Sequence, residues 1–287
     1  MLSTKTHMAE QIIDYAKGRQ VPWLRRKIIA VSNLISRQQR EWAWRYHLRF
    51  RHQVQLDQSR IPEGAIPILI NNFNRLSDLR QMVDWIQSLE GEKAIIIVDN
   101  DSTYPPLLDY YQSLNGDNEQ VVYLKFNSWR KGVRYIGEEL FQKYPKYIIT
   151  DSDLLPYPQT PKDLLPYLSH LMDKYPSYNH IGLSLEIEDL PDHNPLKAQV
   201  YQHESQFWSP HSRLLNEEVY ESYIDTTFAM YRNSSKVLPI GNALRTARPY
   251  TLKHLDWYLD PQSYTEEYQY YLKSCREFAT WAVALRS

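Results

Sequence analysis

Residues 147 to 153 read Tyr147-Ile148-Ile149-Thr150-Asp151-Ser152-Asp153, a short apolar run that stops on two carboxylates one residue apart. An uninterrupted apolar run is the pattern of a strand buried on both faces. Two carboxylates at i and i+2, where such a strand ends and the chain turns, bring oxygens to one hard cation such as Mg²⁺ or Mn²⁺ and leave positions for a substrate diphosphate. Aspartate also favours turns for its own hydrogen-bonding reasons. What surrounds the motif therefore decides its meaning.

Upstream the chain repeats a strand and a helix. Ile66 to Ile70 is a continuous apolar run ending in Asn71-Asn72-Phe73-Asn74-Arg75, and Leu76 to Leu89 then carries Leu76, Leu79, Met82, Val83, Ile86 and Leu89 at helical spacing. A second unit runs from Ala94 to Val98, ends in Asp99-Asn100-Asp101-Ser102, and continues as a helix over Pro105 to Leu114. The third has a strand over Val121 to Phe126, a basic loop to Gly132 and a helix over Val133 to Tyr144. Tyr147 to Thr150 is the fourth strand. Such alternation predicts an α/β fold, a mostly parallel Rossmann-type sheet with helices on both faces. Ligands of these sheets bind beyond the carboxyl ends of the strands, where every polar cluster named here falls.

The order Phe73-Asn74-Arg75, then Val98-Asp99-Asn100-Asp101-Ser102, then a Gly-containing basic loop, then Asp151-Ser152-Asp153 resembles the nucleotide-sugar half of a GT-A-fold glycosyltransferase, closest in style to family 2. The resemblance covers about residues 65 to 155. Asp225 to Tyr231 and Tyr250 to Tyr258 resemble segments of bacterial members of the same superfamily. It implies a GT-A-like catalytic domain over 63–260, with a nucleotide-sugar half (63–155) and an acceptor half (156–260), between a basic helical N-terminal extension (1–62) and a C-terminal helical segment (261–287). It also implies a sugar transfer that depends on Mn²⁺ or Mg²⁺, from a nucleotide-sugar donor, a UDP-sugar first, to a glycan or lipid-linked acceptor.

The same resemblance assigns roles to residues. Asp151 and Asp153 would hold the cation, with His254 as a third ligand; an imidazole suits Mn²⁺ better than Mg²⁺, and the alternative is a structural histidine beside Trp257. Asn72, Asn74 and Arg75 line the first strand end, Asp99 and Asp101 the second, with Asp99 accepting from the base or ribose; the competing reading of these residues is turn capping. Arg130 and Lys131 stand ready for the diphosphate, and Ser152 lies between the two carboxylates. Candidate bases for an inverting transfer are Asp225, before a strand over Thr226 to Tyr231, and Asp189 and Glu186, in the acidic cluster after a strand over Ile181 to Ile187. The Glu-Asp pair that often carries the base in inverting family 2 enzymes has no counterpart downstream, so the base and the stereochemistry stay open.

With 287 residues, 43% of them apolar, the chain has material for one large α/β domain plus an extension. The single cysteine, Cys275, excludes an intramolecular disulfide, which suits the cytoplasm, and reads as a small packed side chain rather than a reactive thiol. No stretch reaches the roughly 18 to 20 apolar residues of a membrane span. The net charge of -1 hides an asymmetry. From Lys17 to Gln55 arginines and lysines face a single acid, Glu41, while Trp23, Leu24, Ile28, Ile29, Val31, Leu34 and Ile35 form an apolar stripe near helical spacing. This arm reads as a helix packed on its own domain with a solvated basic face, as a contact for an anionic membrane's inner face, or as a nucleic-acid contact; the last is not expected. Two alternatives to the transferase are a nucleotidyltransferase, disfavoured because Asn71 to Asp78 contains neither Gly nor Lys, and a catalytically silent membrane-recruitment or scaffold protein on the same sheet.

Overall fold

The computed structural model describes residues 56–275 except 115, 117, 125, 129, 141–142, 225–226 and 233–242, and not the side chains of 138 and 139. The chain divides into two units, Met1–Gln53 and Val54–Ser287. The basic arm therefore lies outside the described residues, as does Asp225.

Strands β1 (Ile66–Asn72), β2 (Lys93–Asp99), β3 (Glu119–Tyr123) and β4 (Lys146–Asp151) form the parallel half of the large sheet, in the order β3-β2-β1-β4. Helices α1 (Ser77–Ser88), α2 (Pro105–Ser113) and α3 (Arg130–Leu140) connect them. The period of 2 in β1 and β2 explains the layering. Ile68, Ile70, Ile95 and Ile97 join the main core with Leu79, Met82, Val83 and Ile86 of α1 and Leu107 and Tyr111 of α2. Tyr147 and Ile149 of β4 point to the other side, against Gly137 of α3, whose missing Cβ would lie 3.0 Å from the Tyr147 ring. Helices thus cover both faces, as the continuous apolar strands require.

Chain direction changes after β4. A two-residue turn at Ser152 and Asp153 leads into β5 (Leu154–Pro156), and α4 (Leu164–Lys174) follows. The strand expected over Ile181 to Ile187 is two: β6 (His180–Gly182) in the large sheet and β7 (Ser184–Leu185) in a small one. The chain steps between sheets at Leu183, whose N–H bonds to the Thr227 carbonyl instead of a ladder partner. After α5 (Lys197–Glu204) come the hairpin β8 (Arg213–Leu215) and β9 (Val219–Glu221), then β10 (Ala229–Arg232), β11 (Ala243–Thr246), β12 (Thr251–His254) and α6 (Glu266–Ser274). The large sheet has nine strands, β3-β2-β1-β4-β10-β6-β11-β9-β8; its second half is mixed, with β10 antiparallel to both β4 and β6 and β11 parallel to β6.

Boundaries differ from the sequence reading: the strand expected over Thr226 to Tyr231 is β10 at Ala229–Arg232, and the helix expected to reach Tyr144 ends at Leu140. β3 stops at Tyr123 rather than Phe126, because its partner β2 ends opposite, Asp99 against Tyr123. α3 starts three residues early, at Arg130, because the Ser128 hydroxyl accepts from Gly132 N–H at 3.0 Å and supplies the first turn with a cap. Gly132 reads as a loop residue but sits inside the helix; a Cβ there would meet Leu124 Cδ1 at 2.1 Å.

Candidate metal and substrate site

Two ladders bring together residues far apart in sequence. β12 pairs antiparallel with β5 with His254 opposite Leu154, one residue past Asp153, and Leu255 N–H donates to the Asp153 carbonyl at 2.8 Å. A short 3₁₀ turn over Leu255–Trp257 then delivers Asp256. Asp153, His254 and Asp256 each offer one ligand atom, all within 4.8 Å of one another. His254 Nε2 lies 3.8 Å from Asp153 Oδ2, and its ring stacks on Trp257 at 4.8 Å between centroids. Asp153 Oδ1 and His254 Nδ1 are buried and have no hydrogen-bond partner among the described residues. Buried polar atoms are rarely left unpaired, so a donor set of two carboxylates and an imidazole with unused atoms fits a divalent cation.

The group has an internal counter-ion. The Arg75 guanidinium, 4% exposed, donates to Asp256 Oδ1 at 2.6 Å and to Asp78 Oδ2 at 2.8 Å, and stands 3.8 Å from Asp153 Oδ2. It lies over the Tyr271 ring at 4.0 Å and faces Tyr268 at 5.3 Å. Burial works against the charge of Arg75, but Asp256 and its neighbours outweigh it and hold its pKa well above the ordinary value. Burial also opposes ionisation of Asp153, yet His254 and Arg75 overcome that and hold its carboxyl below the usual range. Asp78 is raised by burial.

Strand parity decides where the remaining candidates point. Asp151, the last residue of β4, lies outside the three-residue group. Its Oδ1 accepts from Asn71 Nδ2 at 2.9 Å, Asn71 Oδ1 accepts from Asn100 Nδ2 at 2.7 Å, and Asn100 Oδ1 accepts from the Ser128 hydroxyl at 2.9 Å. This relay orients Asp151 across three strand ends. Ser152 is buried with its N–H on the Asn71 carbonyl. Asn72, one residue on from Asn71, points to the opposite face and donates to the Tyr111 hydroxyl, which donates to Asp99 Oδ1. Asp99 Oδ2 accepts from Ser102 N–H, and burial raises its pKa. Asn74 Oδ1 accepts from the N–H groups of Thr103 and Tyr104 at the start of α2. These three residues brace the strand-end loops, and Asp101 is exposed. Arg130 and Lys131 are half-buried in the first turn of α3.

Strain marks the same edge. Asn74 (φ 51°), Asp101 (φ 66°) and Phe228 (φ 50°) take the left-handed conformation where β1, β2 and β10 meet their loops. A buried phenylalanine at positive φ is an outlier that the surroundings must enforce; here the ring packs on Trp85 at 4.9 Å.

On the acceptor side Glu186 is clamped by Arg248, with Nε on Oε2 and Nη2 on Oε1, both at 2.6 Å. Asp189 Oδ1 accepts from the hydroxyls of Tyr157 (2.7 Å) and Tyr258 (2.6 Å), with Lys253 Nζ 3.4 Å from Oδ2. Burial raises the Asp189 pKa, and the two tyrosines and Lys253 more than reverse that and lower it. Its side chain is 43% exposed.

Sequence reasoning missed Asp256, Asn71 and Asn100. Asp256 stood two residues from His254 in the quoted motif; the alternation of β1 was the signal that separates Asn71 from Asn72.

A parallel β3-β2-β1-β4 half with a carboxylate-bearing turn at its carboxyl edge, extended by a mixed half, is a mixed α/β fold built on one large sheet. No protein-family model and no curated protein matches the chain. Solved structures resemble it at low identity. A mannosyltransferase from Pyrobaculum calidifontis, in complex with GDP-Man and Mn²⁺, is 12% identical at a TM-score of 0.39, covering 90% of this chain and 79% of that one. S. aureus TarS 1-349 is 12% identical at 0.42, covering 67% and 60%. GalNAc-T7 with UDP, GalNAc and Mn²⁺ is 15% identical at 0.45, covering 67% and 44%. Likeness at this level is one of general outline; the chemistry of the site follows from its own residues.

Proposed function

We propose that the protein is a metal-dependent glycosyltransferase that moves a sugar from a nucleotide-diphosphate sugar, a UDP-sugar foremost, to a hydroxyl of a glycan or lipid-linked acceptor. The observation that carries this reading is the convergence of Asp153, His254 and Asp256 at the carboxyl edge of a parallel sheet, with Asp153 Oδ1 and His254 Nδ1 unpaired among the described residues. A bound Mn²⁺ would offset the negative charge that develops on the departing diphosphate. The chain's own residues do the rest. Asp153, His254 and Asp256 would hold the cation; Asn71, bonded in turn by Asn100, fixes the Asp151 carboxylate at the end of β4; Arg130 and Lys131 would supply positive charge for the leaving group.

In an inverting transfer a carboxylate takes the proton of the acceptor hydroxyl. Glu186 is committed to Arg248; Asp189 has an exposed carboxylate held ionised by Tyr157, Tyr258 and Lys253. Amide substitutions at Asp189, Glu186 and Asp225, scored by kcat with KM as the control, sort the three. The basic arm, Lys17 to Gln55, keeps its two readings, a helix packed with a solvated basic face or a contact for an anionic membrane surface. Thermal stability titrated with Mn²⁺ and then UDP tests the central reading, followed by a donor screen for nucleotide-sugar hydrolysis. Stabilisation by Mn²⁺ that increases with UDP is the expected result; a flat response to both would leave a silent protein on this sheet.

A further inference from the structure

Helix α6 lies outside the main core. Tyr268, Tyr271 and Cys275 form a separate small cluster with Phe73, Leu259, Tyr264 and Leu272. Three ties hold the helix over the carboxyl ends of β1 and β2. Glu267 caps the start of α1, its Oε1 accepting from Leu76 N–H (2.6 Å) and Ser77 N–H (2.9 Å). Ser274 and Tyr270 bond the two strand-end loops, through Asn74 Nδ2 at 2.9 Å and the Thr103 carbonyl at 3.0 Å. Between them, the guanidinium of Arg75 sits on the faces of Tyr271 and Tyr268. A segment with a small private cluster and polar ties belongs to the low-stability end of a fold.

Arg75 connects this helix to the candidate cation site, because its closest partner, Asp256, is also one of the three ligands. Without a cation the guanidinium is the close positive partner of Asp256, at 2.6 Å, and stands 3.8 Å from Asp153. A divalent ion drawing on both carboxylates would leave a buried arginine beside two further positive charges with Asp78 as its remaining close carboxylate. An under-compensated buried charge is strongly disfavoured. The relief open to it is movement of the guanidinium outward, which takes away the cation that the rings of Tyr268 and Tyr271 hold. The hydroxyls of Tyr264 and Tyr268, buried and without hydrogen-bond partners among the described residues, give the docked helix little in exchange.

We infer that α6 is a strap across the donor edge of the cleft, latched by Arg75, and that a divalent cation at Asp153, His254 and Asp256 loosens it. The inference rests on the cation reading of that site. Reciprocity then applies: the factor by which the cation weakens the docking of α6 is the factor by which the undocked state favours the cation, so a variant with α6 less docked binds it more tightly.

The test is hydrogen exchange of the 266–274 amides with and without Mn²⁺, combined with calorimetric Mn²⁺ binding to the wild type and to Glu267→Gln, which weakens the tie to α1 without touching Arg75. Saturating Mn²⁺ should speed exchange in 266–274 by about 10-fold while α4 is unchanged, and Glu267→Gln should bind Mn²⁺ several-fold more tightly. Binding of Mn²⁺ with unchanged or slower exchange in α6, or with no gain in Glu267→Gln, overturns the latch and leaves the cation site standing. Absence of Mn²⁺ binding in the wild type overturns the site and the latch together.

Discussion

Asp256 is the residue on which the ion pair and the candidate cation site depend together, so Asp256→Asn tests both. Its pairing with Arg75 joins side chains 4% and 5% exposed at 2.6 Å. Removing one partner of a buried pair typically costs about 3 to 5 kcal/mol. Here asparagine keeps a carbonyl acceptor and Arg75 keeps Asp78 at 2.8 Å, so the expected loss is smaller, about 2 to 3 kcal/mol. At about 2 to 4 °C per kcal/mol for a unit of this size, Tm should fall by roughly 4 to 12 °C. The variant should still melt cooperatively. Loss of a charged ligand should also raise the Mn²⁺ concentration needed for half-maximal stabilisation by roughly 10- to 100-fold. Differential scanning calorimetry across a Mn²⁺ series measures both quantities on one sample. A lowered Tm with an unchanged Mn²⁺ midpoint would refute the ligand role and leave Asp256 as a partner of Arg75 alone.

Asp153→Asn should abolish divalent-dependent turnover in a folded protein, and turnover with normal metal dependence would remove Asp153 from the site. His254→Ala should raise the Mn²⁺ requirement by roughly 10- to 100-fold; a lower Tm with a normal Mn²⁺ midpoint would make it a structural histidine. Buried His180, stacked on Tyr231, has its pKa lowered by burial from 6.5 to about 4. The unfolded chain therefore binds the proton more readily, so its contribution is intact above pH 6.5 and is lost as pH falls from 6.5 towards 4, by about 3 kcal/mol in all; His180→Phe should flatten the Tm profile in that window, and parallel profiles would count against it. Gly182→Ala should cost about 1 to 3 kcal/mol, since the added Cβ would lie 2.3 Å from Ile224 Cδ1 and 3.0 Å from Ala229 Cα; a denaturation midpoint equal to wild type would show that β10 yields. Sedimentation with anionic vesicles separates the two readings of the basic arm: a surface anchor should bind and lose binding steeply with salt, and no binding at low salt would leave the packed-helix reading standing.

Local periodicity determined a large part of this protein. The apolar runs at 66–70, 94–98 and 147–150 and the helical spacing of 76–89 and 164–174 are properties of short windows, and each became the expected element because a strand buried on both faces admits no polar residue. The carboxylates at Asp151 and Asp153 were legible for the same reason, as the point where that run ends. What the sequence left undecided is which side chains share a point in space. One residue of strand parity sends Asn71 to Asp151 and Asn72 to Tyr111; the turn after β4 turns Asp153 away from Asp151, toward Arg75 and His254. The split of residues 181–187 between two sheets followed from pairing partners that local pattern does not contain. Asp256 joined the site only because β12 pairs with β5 in one register, about a hundred residues away in the chain. Composition and period act over a few residues, whereas a site is made by ladders and buried charges that compare distant ones, and the tertiary structure alone made that comparison.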